Sequence, residues 1–597
     1  MLDRARGRPA LRLHILQTVL AVIILILAAR LLELQALRPK RYQVSGDVAA
    51  QNSRPPLGTI LDINGQPLAA DFFLWKVQVN PQAFQDEEGR PSEEEKQRVA
   101  LCLAEILDMP AEEISNALHQ DRVYVIVHSG VSLEVAEEIE RHSQGETSSE
   151  GDEAQALAGC RWTRGQVWTS AYRLRFYPQG EFLAHLLGFV TPDGDSYYGV
   201  GEKYQEFLRG ETGSLLRRQK AHTLPAEFSI YLPSEARHDL ILTIDRGIQF
   251  VIERALARAV QSTGAEGGSI IVMDPATGAI LGSASIPEYD PNTYWRHSEE
   301  NPAIFIDPTI SLVYEPGSVF KIVTVAAGLD SGAITPDSVF YDPGQLEAGG
   351  HVFQNADRQS HGEVTVTEIL VHSLNVGVAQ VGEKMGAETF YKYVARFGFG
   401  RKTGVDLAHE VDGLVKFPDS RYWSLSDLPA NTFGQGISVT PLQMVTAVAA
   451  VANGGMLMRP YVVDTLVEDG QAIKVPPVAV AQVIRPETAR LLTEMLVTVV
   501  EQGFSRARVE GYRVAGKSGT AQVPVEGRYH EEWTIASFAG FAPADDPAFV
   551  CLIKLDKPKT SPWGGQVAAP VFGEIAPQIL RILQVPPDAE RQSLEGD

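Results

Sequence analysis

Residues 315–327 read Glu315-Pro316-Gly317-Ser318-Val319-Phe320-Lys321-Ile322-Val323-Thr324-Val325-Ala326-Ala327. The Pro-Gly step breaks the chain, and the apolar run after it predicts a buried helix with Ser318 in its N-terminal turn. Residues three apart on a helix share a face, so Lys321 comes within reach of the Ser318 hydroxyl. A serine nucleophile needs a base, and lysine can be that base only where desolvation or nearby cations depress its pKa. An apolar helix supplies the desolvation. Taken alone, the pair is better explained by a serine cap beside an incidental lysine, so the rest of the chain decides.

Two further elements bear on it. Ser373-Leu374-Asn375 lies in the helical context 366–381, and a hydroxyl two residues from a carboxamide can send both groups into one cleft from a loop between helices. A helix cap is its plain alternative. His372, which precedes it, has no positioned acid and reads as structural. Lys517-Ser518-Gly519-Thr520 lies in the strand-like run 512–523, where a glycine marks close approach of another backbone, as an extended peptide substrate requires. Arg401-Lys402-Thr403-Gly404 is a decoy for this element. It follows Phe397-Gly398-Phe399-Gly400, a glycine-punctuated loop with no strands to present it.

Outward from these elements the sequence implies an α+β chain. A strand at 240–244, a helix from Arg246 and a strand at 268–274 closed by Pro275-Ala276-Thr277-Gly278 open a second part from about residue 236. Strands are expected to resume only near residue 512, after a mainly helical insertion, and the last strands, 537–542 and 549–555, precede a helix ending near Leu583. This order suits an antiparallel sheet covered by helices on both faces. The part before residue 236 mixes short strands, such as 75–79, with helices such as the one capped by Ser92, whose Glu95 completes a capping box. Residues 144–153 (QGETSSEGDE) have no apolar side chain to bury and read as a surface loop.

The N-terminal end carries a different signal. No formal charge falls between Arg12 and Arg30, and 19–29 (VLAVIILILAA) is unbroken apolar. With Arg12 and Arg30 snorkelling, such a stretch covers a hydrocarbon core of about 30 Å. No small-x-small cleavage site follows, so residues 13–36 are expected to be an uncleaved signal anchor. Arg4, Arg6, Arg8 and Arg12 hold residues 1–12 in the cytoplasm, which puts the remainder outside. The net charge of -23 would repel nucleic-acid phosphates, and nucleic acid is excluded as a partner. Cys102, Cys160 and Cys551 show neither metal-ligand nor disulfide spacing and read as packing residues.

Order and context make the three motifs together specific, and the sequence resembles the class B penicillin-binding proteins over roughly residues 50–580. The likeness is carried by LTID (242–245), MDPATGAILGSAS (273–285), DPN (290–292), EPGSVFK, HSLN, FGQGISVTPLQM (433–444) and AGKSGTAQ (515–522). Upstream, Arg175-Phe176-Tyr177-Pro178, His185-Leu186-Leu187-Gly188 and Gly199-Val200-Gly201-Glu202 resemble the family's pedestal, or dimerisation, domain. The pedestal signature appears as Leu57-Gly58-Thr59-Ile60-Leu61-Asp62-Ile63-Asn64-Gly65, without its two arginines, and the middle motif is Ser-Leu-Asn where many relatives have Ser-Ser-Asn.

The resemblance implies a cytoplasmic tail (1–12), a transmembrane anchor (13–36), an elongated mixed α/β pedestal (37–235), a penicillin-binding transpeptidase domain (236–585) and a tail (586–597). It implies a serine-type D,D-transpeptidase that cross-links peptidoglycan stem peptides and binds β-lactams, with no metal or organic cofactor. Ser318 would be the nucleophile, Lys321 its base, Ser373 the proton relay and Asn375 the holder of the donor amide. Lys517, Ser518 and Thr520 would anchor the substrate carboxylate, with Gly519 in the same strand and the Ser318 and Thr520 N–H groups forming the oxyanion hole. The cell-division branch is favoured over elongation, and a polytopic glycosyltransferase meeting the pedestal and membrane helix is the implied partner. A β-lactamase or a membrane-anchored β-lactam sensor is the alternative; class D β-lactamases usually carry valine where Asn375 stands, and a sensor would need further membrane helices.

Overall fold

The computed structural model describes residues 57–86, 88–144, 160–209, 238–503, 505–525 and 528–595. The expected anchor at 13–36 and cytoplasmic tail lie outside these residues, as do 145–153 of the expected acidic loop. Among the described residues no helix is long and apolar enough to cross a membrane.

The first strands are β1 (Ile60–Leu61), β2 (Pro67–Val79), β3 (Val125–Val131) and β4 (Val167–Phe176), with β2 paired antiparallel to the other three. Helices α1 (Glu93–Leu107), α2 (Ala111–Leu118) and α3 (Leu133–Gln144) accompany them. Val77, Val79 and Val167 from the strands and Val99, Leu103, Ile114 and Ile139 from the helices form a separate small core. The cap of α1 is half of what the sequence suggested. Ser92 Oγ accepts the Glu95 N–H at 3.3 Å, but the Glu95 carboxylate takes Gln166 Nε2 at 3.1 Å.

The same core corrects the cysteine reading: Cys102 and Cys160 form a disulfide, with Cα atoms 5.7 Å apart. Their separation of 58 residues matches no spacing pattern, because tertiary folding brings α1 to the segment before β4. Cys551 is buried, as a packing residue is. Closing a loop of this length restricts the unfolded chain by an amount worth about 2–4 kcal/mol. Cys102→Ser with Cys160→Ser is therefore expected to lower the stability of this small core by that amount in a denaturant titration, leaving the distant Ser318 site unchanged.

Five antiparallel strands make a second sheet. The chain enters it by way of β5 (His238–Leu242), which belongs to the first sheet, and helix α4 (Arg246–Thr263), then lays down β6 (Gly267–Met273) and β7 (Ile280–Ile286). After helix α5 (Lys321–Asp330) come four short strands that the sequence reading missed, β8 (Val339–Asp342), β9 (Gln345–Ala348), β10 (His351–Gln354) and β11 (Gly362–Thr365). Helices α6 (Val366–Val371), α7 (Asn375–Met385) and α8 (Pro441–Ala452) follow. Then come β12 (Val463–Glu468), β13 (Gln471–Lys474), α9 (Pro486–Gly503), β14 (Ala515–Val525), β15 (Arg528–Ala542), β16 (Phe549–Asp556) and α10 (Ala569–Ile582). The second sheet runs β14-β15-β16-β6-β7, so β14 is an edge.

Strand β16 shows why helices cover both faces. Phe549, Cys551, Ile553 and Leu555 enter one core with Ile252, Leu256, Phe572 and Ile579 of α4 and α10, while Val550 and Leu552 enter the other with Val325 of α5 and Met444 and Val448 of α8. A strand apolar at every position is stable only between two layers. Strands between α5 and β14 correct the expectation of their absence before residue 512. The Gly349-Gly350 turn of β9 and β10, with φ of 58° and 79°, has the positive angles that a two-residue hairpin turn demands.

The described residues form one compact unit, and the first sheet crosses the expected boundary at 236, because β1 pairs with β5 and β5 with β12. Family-like motifs from the two parts also meet: Tyr177 and Asn292 exchange two hydrogen bonds, at 3.0 and 2.9 Å. Arg175 is buried, and its guanidinium donates to Gly58 O at 2.8 Å and Asp71 Oδ1 at 3.0 Å. Residues 588–595 of the expected C-terminal tail form a helix, with the Asp588 carboxylate accepting the Arg513 N–H at 2.7 Å.

Candidate active site

Residues 317–320 form a tight helical turn that leads into α5, and Ser318 is half-buried there. Gly317 has φ +56°, and a Cβ on it would lie 2.7 Å from the Thr520 carbonyl oxygen. Its N–H donates to Gly434 O at 3.1 Å, and a Cβ on Gly434 would collide with the Gly317 carbonyl oxygen. The two glycines let the serine turn settle between β14 and residues 433–436. Beyond the turn, Phe320, Ile322, Val323 and Val325 have no exposed surface, so α5 is buried nearly all round and carries Lys321 inward.

Lys321 is fully buried. Its Nζ donates to Ser373 O at 2.5 Å, Asn375 Oδ1 at 2.8 Å and Ser373 Oγ at 3.3 Å. Ser373 occupies the loop between α6 and α7 with φ +56°, a left-handed conformation that costs a residue with a Cβ about 1–2 kcal/mol. Lys517, fully buried on β14, approaches from another side and donates to Ser373 Oγ at 3.0 Å and Ser518 O at 3.1 Å. One hydroxyl thus receives both lysines. Burial, then the Lys517 charge, push the Lys321 pKa far below its ordinary value, and Asp342 opposes them. Burial pushes Lys517 down to about 7. A lysine whose charged form is disfavoured, three residues along the same helical run from a half-buried serine, is a candidate base for that nucleophile.

The expected residues therefore converge: Ser318 and Lys321 on consecutive turns, Ser373 and Asn375 on Lys321, and Lys517 on Ser373. Strand β14 brings Ser518, Gly519 and Thr520 as well, though not all as expected. A Cβ on Gly519 would meet Ser537 Oγ at 2.5 Å, Val319 Cγ2 at 2.8 Å and Pro316 O at 2.9 Å, so the backbone that approaches this glycine belongs to the chain itself. Thr520 Oγ1 accepts the Gly564 N–H at 3.1 Å and keeps its own proton to donate. The decoy stands apart. Lys402 is exposed, and its loop is held by Asp412 accepting the Lys402 N–H and Glu410 accepting the Thr403 N–H. The His372 ring stacks on His361.

Sequence reading missed a layer behind the site. Asn375 Nδ2 donates to Gln354 O at 2.9 Å, and the Val376 N–H donates to Asn355 Oδ1 at 3.1 Å. Gln354 ends the β9–β10 hairpin and Asn355 follows it; the paired glycines of that hairpin, with the Asp342-Pro343-Gly344 turn before it, were the available signal. Among the described residues no group of three or more His, Cys, Asp or Glu is placed to hold a metal ion.

Residues 268–577 match the penicillin binding protein transpeptidase domain, and residues 52–215 match the penicillin-binding protein dimerisation domain. Stage V sporulation protein D of Bacillus subtilis is 37% identical over 542 residues, 89% of this chain and 79% of that protein. Peptidoglycan D,D-transpeptidase FtsI of Escherichia coli is 30% identical over 573 residues, 94% of this chain and 90% of that protein. Among solved structures, penicillin binding protein 3 of Mycobacterium tuberculosis in complex with ampicillin aligns with a TM-score of 0.65 and 27% identity, over 90% of this chain and 97% of that one.

Proposed function

Because the chain belongs to the class B penicillin-binding proteins and is a peptidoglycan D,D-transpeptidase, we propose that it cross-links stem peptides through an acyl-enzyme on Ser318. The observation that carries this reading is the meeting of two buried lysines on the Ser373 hydroxyl, one of them a single turn from Ser318. Lys321, as the neutral amine, takes the Ser318 proton while Oγ attacks the penultimate D-Ala carbonyl. The oxyanion is received by the Ser318 and Thr520 N–H groups, where losing one donor costs roughly 2.7–4 kcal/mol of barrier. The C–N bond then breaks, and the proton passes from Lys321 through Ser373 to the amine of the departing D-Ala. An acceptor amine attacks the ester, forming the new amide and returning the proton to Ser318. Asn375 holds the donor amide, and Lys517, Ser518 and Thr520 hold the terminal carboxylate, whose charge draws a proton back onto Lys517.

A β-lactam places its ring carbonyl where the D-Ala carbonyl reacts. Peptide mapping after exposure to a fluorescent penicillin is expected to find the adduct on the Ser318 peptide; an adduct elsewhere, or none, overturns the assignment. The two Lys-Ser/Thr-Gly segments are separated by the same reaction. Lys517→Ala removes a charge-assisted hydrogen bond worth roughly 1.5–3 kcal/mol, so the second-order acylation constant is expected to fall about tenfold to a hundredfold. Lys402→Ala changes it by less than about twofold, since a solvated loop lysine contributes no more than about 0.5 kcal/mol. Equal effects would place the motif on the wrong segment.

The proposal extends to the setting. Residues 13–36 anchor the chain in the plasma membrane with residues 1–12 in the cytoplasm and the catalytic part outside; the disulfide supports an oxidising compartment. Residues 37–235 serve as pedestal and 236–585 as transpeptidase domain, and a polytopic glycosyltransferase partner supplies glycan strands. Division is the favoured process, and depletion distinguishes it: filaments support division, and rounded cells support elongation.

A further inference from the structure

Helix α7 starts without a side-chain cap of its own, since Leu374 holds the N-cap position. The first N–H groups of a helix have no partner inside it, and here the Val376 N–H is met from another element by Asn355 Oδ1. Asn355 is buried, and its Nδ2 donates to Asp342 Oδ1 at 3.0 Å, Asp342 Oδ2 at 2.8 Å and Gln359 O at 3.1 Å. Asp342, with no exposed surface, also accepts the Gly344 N–H at 2.7 Å. An ionised carboxylate only accepts. Asn355 can therefore show Asp342 nothing but its NH2 group, and its oxygen has to face Val376.

We propose that Asp342 and Asn355 are positioning residues of the transpeptidase reaction: the buried carboxylate fixes the Asn355 amide, and that amide holds the Ser373–Asn375 loop against Lys321. Gln354 completes the arrangement, because its carbonyl takes Asn375 Nδ2 and so turns Asn375 Oδ1 toward Lys321. The loop needs holding, since Ser373 carries an unfavourable backbone angle. Asp342 has a second effect through space. It is the negative charge that favours the Lys321 ammonium, against burial and the Lys517 charge from β14. Ionisable groups on the adjoining segments are the stacked His361 and His372, Asp357 accepting from His361, and Arg358, whose N–H donates to Asn355 O at 3.0 Å.

The test exchanges the polarity of the pair. In Asp342→Asn the oxygen that takes the Gly344 N–H can still accept from Asn355 Nδ2, but the place of Oδ2 is taken by an NH2 group facing the Asn355 NH2, so the shorter of the two bonds and the carboxylate charge are lost. The second-order acylation constant with a penicillin is expected to fall about tenfold or more, by the loss of a charge-assisted hydrogen bond. In Asp342→Asn with Asn355→Asp, the carboxylate moved to position 355 accepts both from the amide now at position 342 and from the Val376 N–H but sets an oxygen against the Gln359 carbonyl, so the constant is expected to recover in part, to about threefold or more above the Asp342→Asn value. Asn355→Ala, which leaves Asp342 its Gly344 bond, should match the loss of the single variant and keeps the test open if Asp342→Asn does not fold. The pH profile adds a readout that packing alone would not move. Without the Asp342 charge Lys321 gives up its proton more easily, so the acid limb of acylation shifts to lower pH in Asp342→Asn and stays in place in Asn355→Ala. Unchanged acylation in the single variants, no recovery in the exchanged pair, or an unmoved acid limb overturns the proposal. The inference rests on the acyl-enzyme reading, but the two fail differently: wild-type protein unlabelled at Ser318 sinks that reading, whereas labelled wild type with indifferent variants sinks this one.

Discussion

Ser318→Ala is expected to leave no covalent penicillin adduct and no measurable cross-linking. The replacement removes the hydroxyl and keeps the oxyanion-hole N–H, and removing a nucleophile from a serine–base unit lowers turnover on the order of a millionfold, because the members act together. The fold should not notice. Ser318 is half-buried, and the turn is seated by Gly317 and Gly434 rather than by the serine side chain, so stability should change by less than about 1 kcal/mol. Gel fluorescence after penicillin exposure, with a thermal melt of the same sample, checks both halves. Labelling that survives in a folded Ser318→Ala protein would move the nucleophile elsewhere.

Lys321→Met is expected to slow acylation by about 10²–10⁴-fold, the usual contribution of a positioned general base. Methionine keeps most of the volume in a wholly buried site, so lost chemistry is separated from a lost core. The same variant carries a stability signature whose sign is fixed. In the folded protein Lys321 titrates far below its ordinary 10.5 because burial and Lys517 disfavour its charge, whereas in the unfolded chain it titrates normally. Between the two values the unfolded state binds more protons, so folding stability rises with pH across that window. Wild type should therefore gain stability relative to Lys321→Met as pH rises toward 10.5, and denaturant titrations at several pH values measure it. Lys517, depressed to about 7, adds a slope of the same sign in both proteins. A difference that stays flat up to pH 10.5 would mean that Lys321 is held as an ammonium in the free enzyme.

The parts of this site that local sequence could reveal were those fixed by local rules. Helical spacing put Lys321 on the face of Ser318, and glycine in a strand-like run marked β14 over the Lys402 loop. Both follow from backbone geometry within a few residues. What escaped was non-local. Cys102 finds Cys160 only after α1 packs on its sheet, and Asp342 acquires meaning only when Asn355 folds back over it from beyond a hairpin. The four strands β8 to β11 have four residues each, too short for an alternating pattern to stand out, and their turns were the better signal. The first sheet runs across residue 236 for a similar reason: strand partners are chosen by edges in space, and β5 found one edge in β1 and another in β12.

The left-handed backbone at Ser373 sets selection for durability against selection for activity. Glycine accepts that angle without a Cβ penalty, and the two lysines keep the carbonyls of residues 373 and 518 as acceptors, so Ser373→Gly should be a gain in a screen that scores only survival on heating. The same replacement deletes the hydroxyl on which Lys321 and Lys517 meet. A lineage that has to keep making wall cannot take that step, and a laboratory lineage freed from the duty would take it early. Thermostable variants recovered without an activity filter should therefore be sequenced at this codon first, since glycine there would mark a protein that had given up its chemistry for its shape.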